Sequence, residues 1–179
     1  MRPFFLTVLC GTILCAATPD EARAQGALSE YEVKAAFLYN FAAFVEWPQA
    51  PTTGPVRIGI VSVDPPPELA QILRGRSVAG RDIQVLVFAV GEEIVPTDIL
   101  FITADAATRL DAIAKQLKGH PVLIVGESDG FARRGGMVNF YIESSRVRFE
   151  INRSVAEEAG LRLSSQLLRI ARLVAGGEE

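Results

Sequence analysis

The sequence predicts an α/β fold: a layered single domain with a mostly parallel central sheet, a C-terminal antiparallel hairpin and helices on both faces. Three observations predict it. Short apolar runs such as Ile58 to Val61, Ile99 to Ile102 and Val122 to Val125 have the length of strands covered on both sides. Segments of helical spacing alternate with them through the first two thirds of the chain. Two further β runs joined by Glu143-Ser144-Ser145 then read as a hairpin.

The elements follow in order. Ser29-Glu30-Tyr31-Glu32 is a capping box, with Ser29 as N-cap and Glu32 reaching back to it. The helix it opens is expected to run to about Glu46. Val33, Ala36, Phe37, Phe41, Phe44 and Val45 form its apolar stripe, and Trp47-Pro48 ends it. Pro51 to Pro55 reads as a linker and Val56 to Val63 as the first strand. Three prolines open a short helix, Glu68 to Arg74, which Gly75 stops. Strands are expected at Ile83 to Phe88 and Ile99 to Thr103, then a helix from Ala106 to Lys118, then a strand at Val122 to Val125. A glycine-rich loop, Gly126 to Gly136, leads into the hairpin strands Met137 to Ile142 and Arg146 to Ile151, an antiparallel edge pair. Asn152 caps a short helix, and a last helix is expected over about Ser164 to Val174.

The start of the chain has the pattern of a secretory signal. Arg2, the apolar run Phe4 to Ala17 and Ala22-Arg23-Ala24 supply its three parts, with cleavage expected after Ala24. The apolar run is shorter than the roughly 20 residues a spanning helix needs. The remainder, Gln25 to Glu179, has the length of one domain. Both cysteines, Cys10 and Cys15, leave with the signal, so thiol chemistry and disulfides are not expected in the mature protein. The net charge of −3 offers no footprint for nucleic acid.

Motifs for catalysis are sparse. Gly126-Glu127-Ser128-Asp129-Gly130 matches G-x-S-x-G after a predicted strand, which raises a serine hydrolase as an alternative. That chemistry needs a base histidine after the serine. The one histidine, His120, precedes it at the far end of the same strand, roughly 20 Å away at strand rise. A Ser-Lys variant would need Lys34, Lys115 or Lys118 beside Ser128, and no pattern places one there. The bland reading is a turn in which both glycines supply positive φ. One histidine and no mature cysteine do not make an ordinary zinc site, and phosphate-cradling loops are missing, so no catalytic residue, metal or cofactor is expected.

Two surface features are candidates for binding. If Val138, Phe140 and Ile142 face the core, then Asn139 and Tyr141 share the outer face of the hairpin with Arg148 and Glu150. Such a patch suits a protein partner or an anionic ligand; an ordinary solvated sheet face is the plain alternative. Among the aromatics of the first helix region, Tyr39 and Trp47 are candidates for a dimer or partner interface, with core packing as the plain alternative.

The chain also resembles a known family. The resemblance is carried by Glu32 to Phe41, Phe44-Val45-Glu46-Trp47-Pro48, Gly80-Arg81, Ile99-Leu100-Phe101-Ile102, Gly130-Phe131-Ala132, Gly135 to Phe140, Val147 to Asn152, Ala159-Gly160-Leu161 and Ser164 to Leu168. In order and spacing these segments resemble the YfiR family of small periplasmic proteins over about Ser29 to Val174. The resemblance implies a homodimeric, non-catalytic regulator that binds the periplasmic sensor domain of an inner-membrane diguanylate cyclase and represses it. Release would raise cyclic di-GMP and promote biofilm formation. Some relatives respond to envelope redox state through cysteine pairs; here Thr97-Asp98 stands where relatives often carry a cysteine, so a thiol switch is not expected. On this reading Asn139, Tyr141, Arg148 and Glu150 form the partner surface, and Glu150→Lys is expected to weaken binding without unfolding. A second reading is a periplasmic small-molecule sensor that holds an anionic metabolite with Arg148 and the Gly126 to Gly136 loop.

Overall fold

The computed structural model describes residues 28–48 and 53–176. The expected leader, residues 1–24, and part of the expected Pro51 to Pro55 linker lie outside them.

Helix α1 spans Glu30–Phe44 and starts as its sequence dictates: Ser29 Oγ accepts from Glu32 N, and Glu32 Oε2 accepts from Ser29 N. It ends two residues earlier than expected. Val45–Glu46 leaves the helix as a short strand, β1, pairing antiparallel with Arg162–Leu163. Its buried face is also turned from the expected one. Lys34, Ala35, Leu38, Phe41 and Ala42 are buried, whereas Ala36 is exposed. The helix packs against a second helix as well as the sheet, so the side carrying Leu38 and Ala42, which with Tyr39 is fairly apolar in the sequence too, is buried along with Phe41.

The chain continues through β2 (Val56–Ser62), α2 (Pro67–Leu73), β3 (Ser77–Val78), β4 (Arg81–Ala89) and β5 (Ile99–Ile102). The strand expected at Ile83 to Phe88 gains its first residues from a tight turn at Ala79-Gly80, both at positive φ, which folds β3 back on β4. A 3-10 turn, Ala104–Arg109, precedes α3 (Leu110–Gln116), where one continuous helix was expected. Then come β6 (Leu123–Gly126), β7 (Val138–Glu143), β8 (Arg146–Asn152), α4 (Arg153–Glu158), β9 (Arg162–Leu163), α5 (Ser165–Ile170) and β10 (Arg172–Val174).

The main sheet has the order β10-β8-β7-β6-β5-β2-β4-β3. Strands β4, β2, β5, β6 and β7 run parallel, and β7-β8 is the antiparallel hairpin. The mixed α/β fold with a mostly parallel sheet is therefore as expected. The hairpin is not at the edge, however. The final expected helix stops at Ile170, Ala171 turns extended (φ −88°, ψ 152°), and β10 pairs parallel with β8, placing Arg172 opposite Glu150. Leu167, Leu168 and Ala171 fit helical spacing, but the outer edge of β8 carries unpaired backbone groups, and a β-prone Leu173-Val174 satisfies them.

The core is aromatic where α1 meets the hairpin. Phe41 stacks on Phe140 at 5.8 Å, Phe37 meets Phe149 edge-on at 5.2 Å, and Phe101 on β5, two strands away, closes on Phe140 at 6.0 Å. This fixes which face of the hairpin turns inward. Val138, Phe140 and Ile142 lie opposite Ile151, Phe149 and Val147, so Asn139, Tyr141, Arg148 and Glu150 share the other face.

Candidate functional site

The hairpin register brings the expected residues together: Asn139 stands across from Glu150, and Tyr141 across from Arg148. Their exposure divides them. Arg148 keeps half of its side chain in solvent, 4.0 Å from Glu143, and Tyr141 is half-buried. Asn139 and Glu150 are each only 3% exposed, so they do not stand on a solvated face. The 3-10 turn Phe131–Arg134 packs on β7 and β8, and β10 lies along the outer side. That cover was not visible in the alternation of the hairpin strands.

Glu150 is the pivot of a buried network. Its Oε1 accepts from Asn139 Nδ2 at 3.2 Å, and its Oε2 accepts from Arg172 through Nε at 3.1 Å and Nη2 at 2.5 Å. The hydrogen bonds that it donates to Glu150 hold the Arg172 guanidinium even more firmly protonated than usual. The same guanidinium lies 4.1 Å over the Tyr141 ring. Arg172 is thus the residue that ties the patch together. Sequence reasoning missed it because it sits in a segment read as helix. Glu150→Lys, expected to spare the fold, would press a cation against Arg172 in a buried position, so it is not a neutral probe of the surface.

The G-x-S-x-G string folds otherwise than a nucleophile turn. Gly126 ends β6 without positive φ; only Gly130 of the two adopts it. Ser128 Oγ accepts from Arg134 Nη2 at 3.2 Å, while His120 lies at the far end of β6. The inward-turned residue is Glu127. Its Oε2 pairs with Lys34 Nζ at 2.5 Å, with both side chains 4% exposed, and its Oε1 accepts from Tyr31 Oη at 3.1 Å and Ala104 N at 2.9 Å. Lys34 also bonds Glu30. Burial, then the charge of Glu127, push the Tyr31 hydroxyl well above its usual range, so it stays protonated and donates. Lys34 reaches Glu127, the residue before Ser128, but its ammonium is spent on two carboxylates.

At the C-terminal ends of β2 and β5, where open α/β sheets usually take ligands, Asp105 fills the space. Its carboxylate accepts from Ser62 Oγ at 3.3 Å, Val63 N at 3.1 Å, Asp64 N at 3.2 Å and also Thr103 Oγ1. Burial works against the charge, but these hydrogen bonds outweigh it and hold the carboxyl below its usual range.

The aromatic candidates are tied to their own fold. Tyr39 is half-buried, donates to Ser77 O at 3.2 Å and lies beneath the Arg76 guanidinium at 5.4 Å. Trp47 donates from Nε1 to Asp98 O at 3.2 Å. Among the described residues no group of three or more His, Cys, Asp or Glu side chains is placed to hold a metal ion, and no helix is long and apolar enough to cross a membrane.

The family model described as YfiR/HmsC-like matches residues 31–172, most of the chain. The chain belongs to the YfiR/HmsC-like family. Proteins of this family are known as periplasmic regulators of cyclic di-GMP signalling. Among solved structures, a conserved domain protein from Vibrio cholerae O1 biovar El Tor is similar, with a TM-score of 0.56 and 13% identity. The match covers 82% of this chain and 60% of that one, and at this identity it speaks for the fold alone. No curated protein matches the chain.

Proposed function

We propose that this YfiR/HmsC-like protein is exported through a cleaved leader and acts as a homodimer. It binds the periplasmic sensor domain of an inner-membrane diguanylate cyclase and holds that cyclase inactive without catalysis of its own. The observation that carries the choice of surface is the Tyr141–Arg172–Glu150 stack, with Arg148 exposed beside Tyr141. A tyrosine ring and guanidinium already immobilised by a buried carboxylate lose little entropy on binding, which is what a partner-recognition patch requires. A regulator of this kind works by differential affinity for two states of its partner.

The small-molecule reading meets an obstacle at its expected position. The cleft of about 330 Å³ beside the Gly126 to Gly136 loop is lined by Glu30, Glu127 and Asp129, with Lys34 as its one cation and that cation already paired. An anionic metabolite is repelled there.

The test is capture from envelope extract by the tagged protein and by Arg148→Glu and Tyr141→Ala. The unaltered protein is expected to retain a membrane protein with a periplasmic sensor and a cyclase domain. Both variants are expected to lose it at least tenfold, about 1.4 kcal/mol, and the exposed Arg148→Glu is expected to melt as before. Undiminished capture by both variants removes the surface. Failure to capture any cyclase, with cyclic di-GMP unchanged on deletion, removes the function.

A further inference from the structure

The opposite end of the sheet carries a second site. The N-terminal ends of β2, β5 and β6 frame a cleft of about 320 Å³. Trp47, Pro55, Pro121 and Val122 make its walls largely apolar. Its charged lining is Arg57 and Arg81 against one carboxylate, Asp98, with the His120 imidazole beside them. On a chain with a net charge of −3, that local balance is inverted.

Arg81, Asp98 and Trp47 are held in place, while the Arg57 side chain is exposed. Arg81 donates from Nε to Gly54 O at 2.9 Å and from Nη2 to Pro55 O at 3.0 Å, which fixes its guanidinium plane. Asp98 Oδ2 accepts from Arg57 N at 2.7 Å, and no ion pair among the described residues joins Asp98 to either arginine. The Trp47 indole is anchored on Asp98 O. Thr97, also in the lining, is 6% exposed and its hydroxyl finds no partner among the described residues. Its methyl carbon is the atom facing β2, 3.1 Å from where a Cβ on Gly59 would stand. A buried hydroxyl left without a partner is costly and rare.

Apolar walls and two arginines, one of them pre-oriented, are the elements of a site for an organic anion. We propose that this cleft binds a small carboxylate with a compact or flat apolar body, its charge toward Arg57 and Arg81 and its body against Trp47 and the prolines. The site is separate from the hairpin patch and stands whether or not a cyclase is the partner.

Trp47 is the single tryptophan of the chain, so its emission reports this cleft directly. The experiment titrates the purified full-length mature protein with phenylacetate, and in parallel with neutral phenylacetamide and cationic phenethylamine. Phenylacetate is expected to change the emission saturably, with an affinity at least ~10-fold above the amide, the size of one charge-assisted hydrogen bond. Phenethylamine is expected to give no saturable change. Arg57→Gln abolishes the preference for the acid at an unchanged melting temperature, and Arg57→Lys, which keeps the charge, retains most of it. The proposal is overturned by equal responses to acid and amide. It is equally overturned by no saturable change up to about 20 mM, weak even for a ligand of this size, or by an acid preference that survives Arg57→Gln.

Discussion

Single residues in the glycine-rich loop show how a motif can be read correctly as letters and wrongly as structure. Phe131 is fully buried, and its ring lies between two glycines. A Cβ on Gly126 would stand 2.4 Å from the ring, and one on Gly136 would stand 2.2 Å from it and 2.8 Å from the Phe131 carbonyl oxygen. Gly126 is therefore needed for close approach and not for backbone freedom, which the spacing G-x-S-x-G does not distinguish. Gly126→Ala is expected to destabilise the protein by about 1–3 kcal/mol, the usual cost of overpacking. In a Phe131→Leu background the added cost should fall sharply. Urea unfolding of the four proteins in a double-mutant cycle checks this, and a coupling near zero would detach the glycine from the ring.

At the scale of elements, α1 was readable at its start and not along its length. The capping box is a local device in which both partners lie within one turn, so its sequence suffices. Which face of the helix is buried depends on neighbours supplied by distant segments. Lys34 illustrates this: a charge on a predicted helix is normally solvated, yet here it closes a buried pair with Glu127 that joins α1 to the end of β6. Removing one member leaves the other charge buried. Lys34→Met is expected to cost about 3 kcal/mol, the lower end for a broken buried pair, since Tyr31 and Ala104 still donate to Glu127. Lys34→Met with Glu127→Met should recover much of that loss, because a buried ion pair is itself expensive. Chemical denaturation of the single and double variants decides it; a single variant within about 0.5 kcal/mol of the parent would mean the pair is effectively hydrated.

For the whole molecule, the last strand changes the meaning of the hairpin. β10 closes the outer edge of β8 and brings Arg172 over Tyr141 and onto Glu150. The candidate surface is thus completed by residues far from it in sequence. A chain ending after Ile170 is expected to lose the Glu150–Arg172 bonds, worth about 1.5–3 kcal/mol for hydrogen bonds to a charged group and less where one partner is half-exposed. It should also expose the edge of β8 to pairing between molecules. Thermal melting and size-exclusion chromatography read both effects; an unshifted melting temperature and an unchanged elution volume would show that β10 contributes neither closure nor support.

Much of the fold was legible in the chain itself. Strand runs buried on both faces, helix caps, the hairpin and the inward turn of Val138 and Phe140 all follow from local periodicity and turn chemistry, which the backbone imposes on neighbours in sequence; Ile142, expected beside them, is 53% exposed. The order of those segments was also enough to indicate the family. Only the tertiary structure decided the rest: that β10 and the Phe131–Arg134 turn bury Asn139 and Glu150, that Glu127 and not Ser128 turns inward, and that Trp47, Arg57, Arg81 and His120 meet in one cleft. Each of these is a contact between segments far apart in the chain. Burial and charge pairing act through space, and no repeat along the sequence encodes which distant partner will arrive.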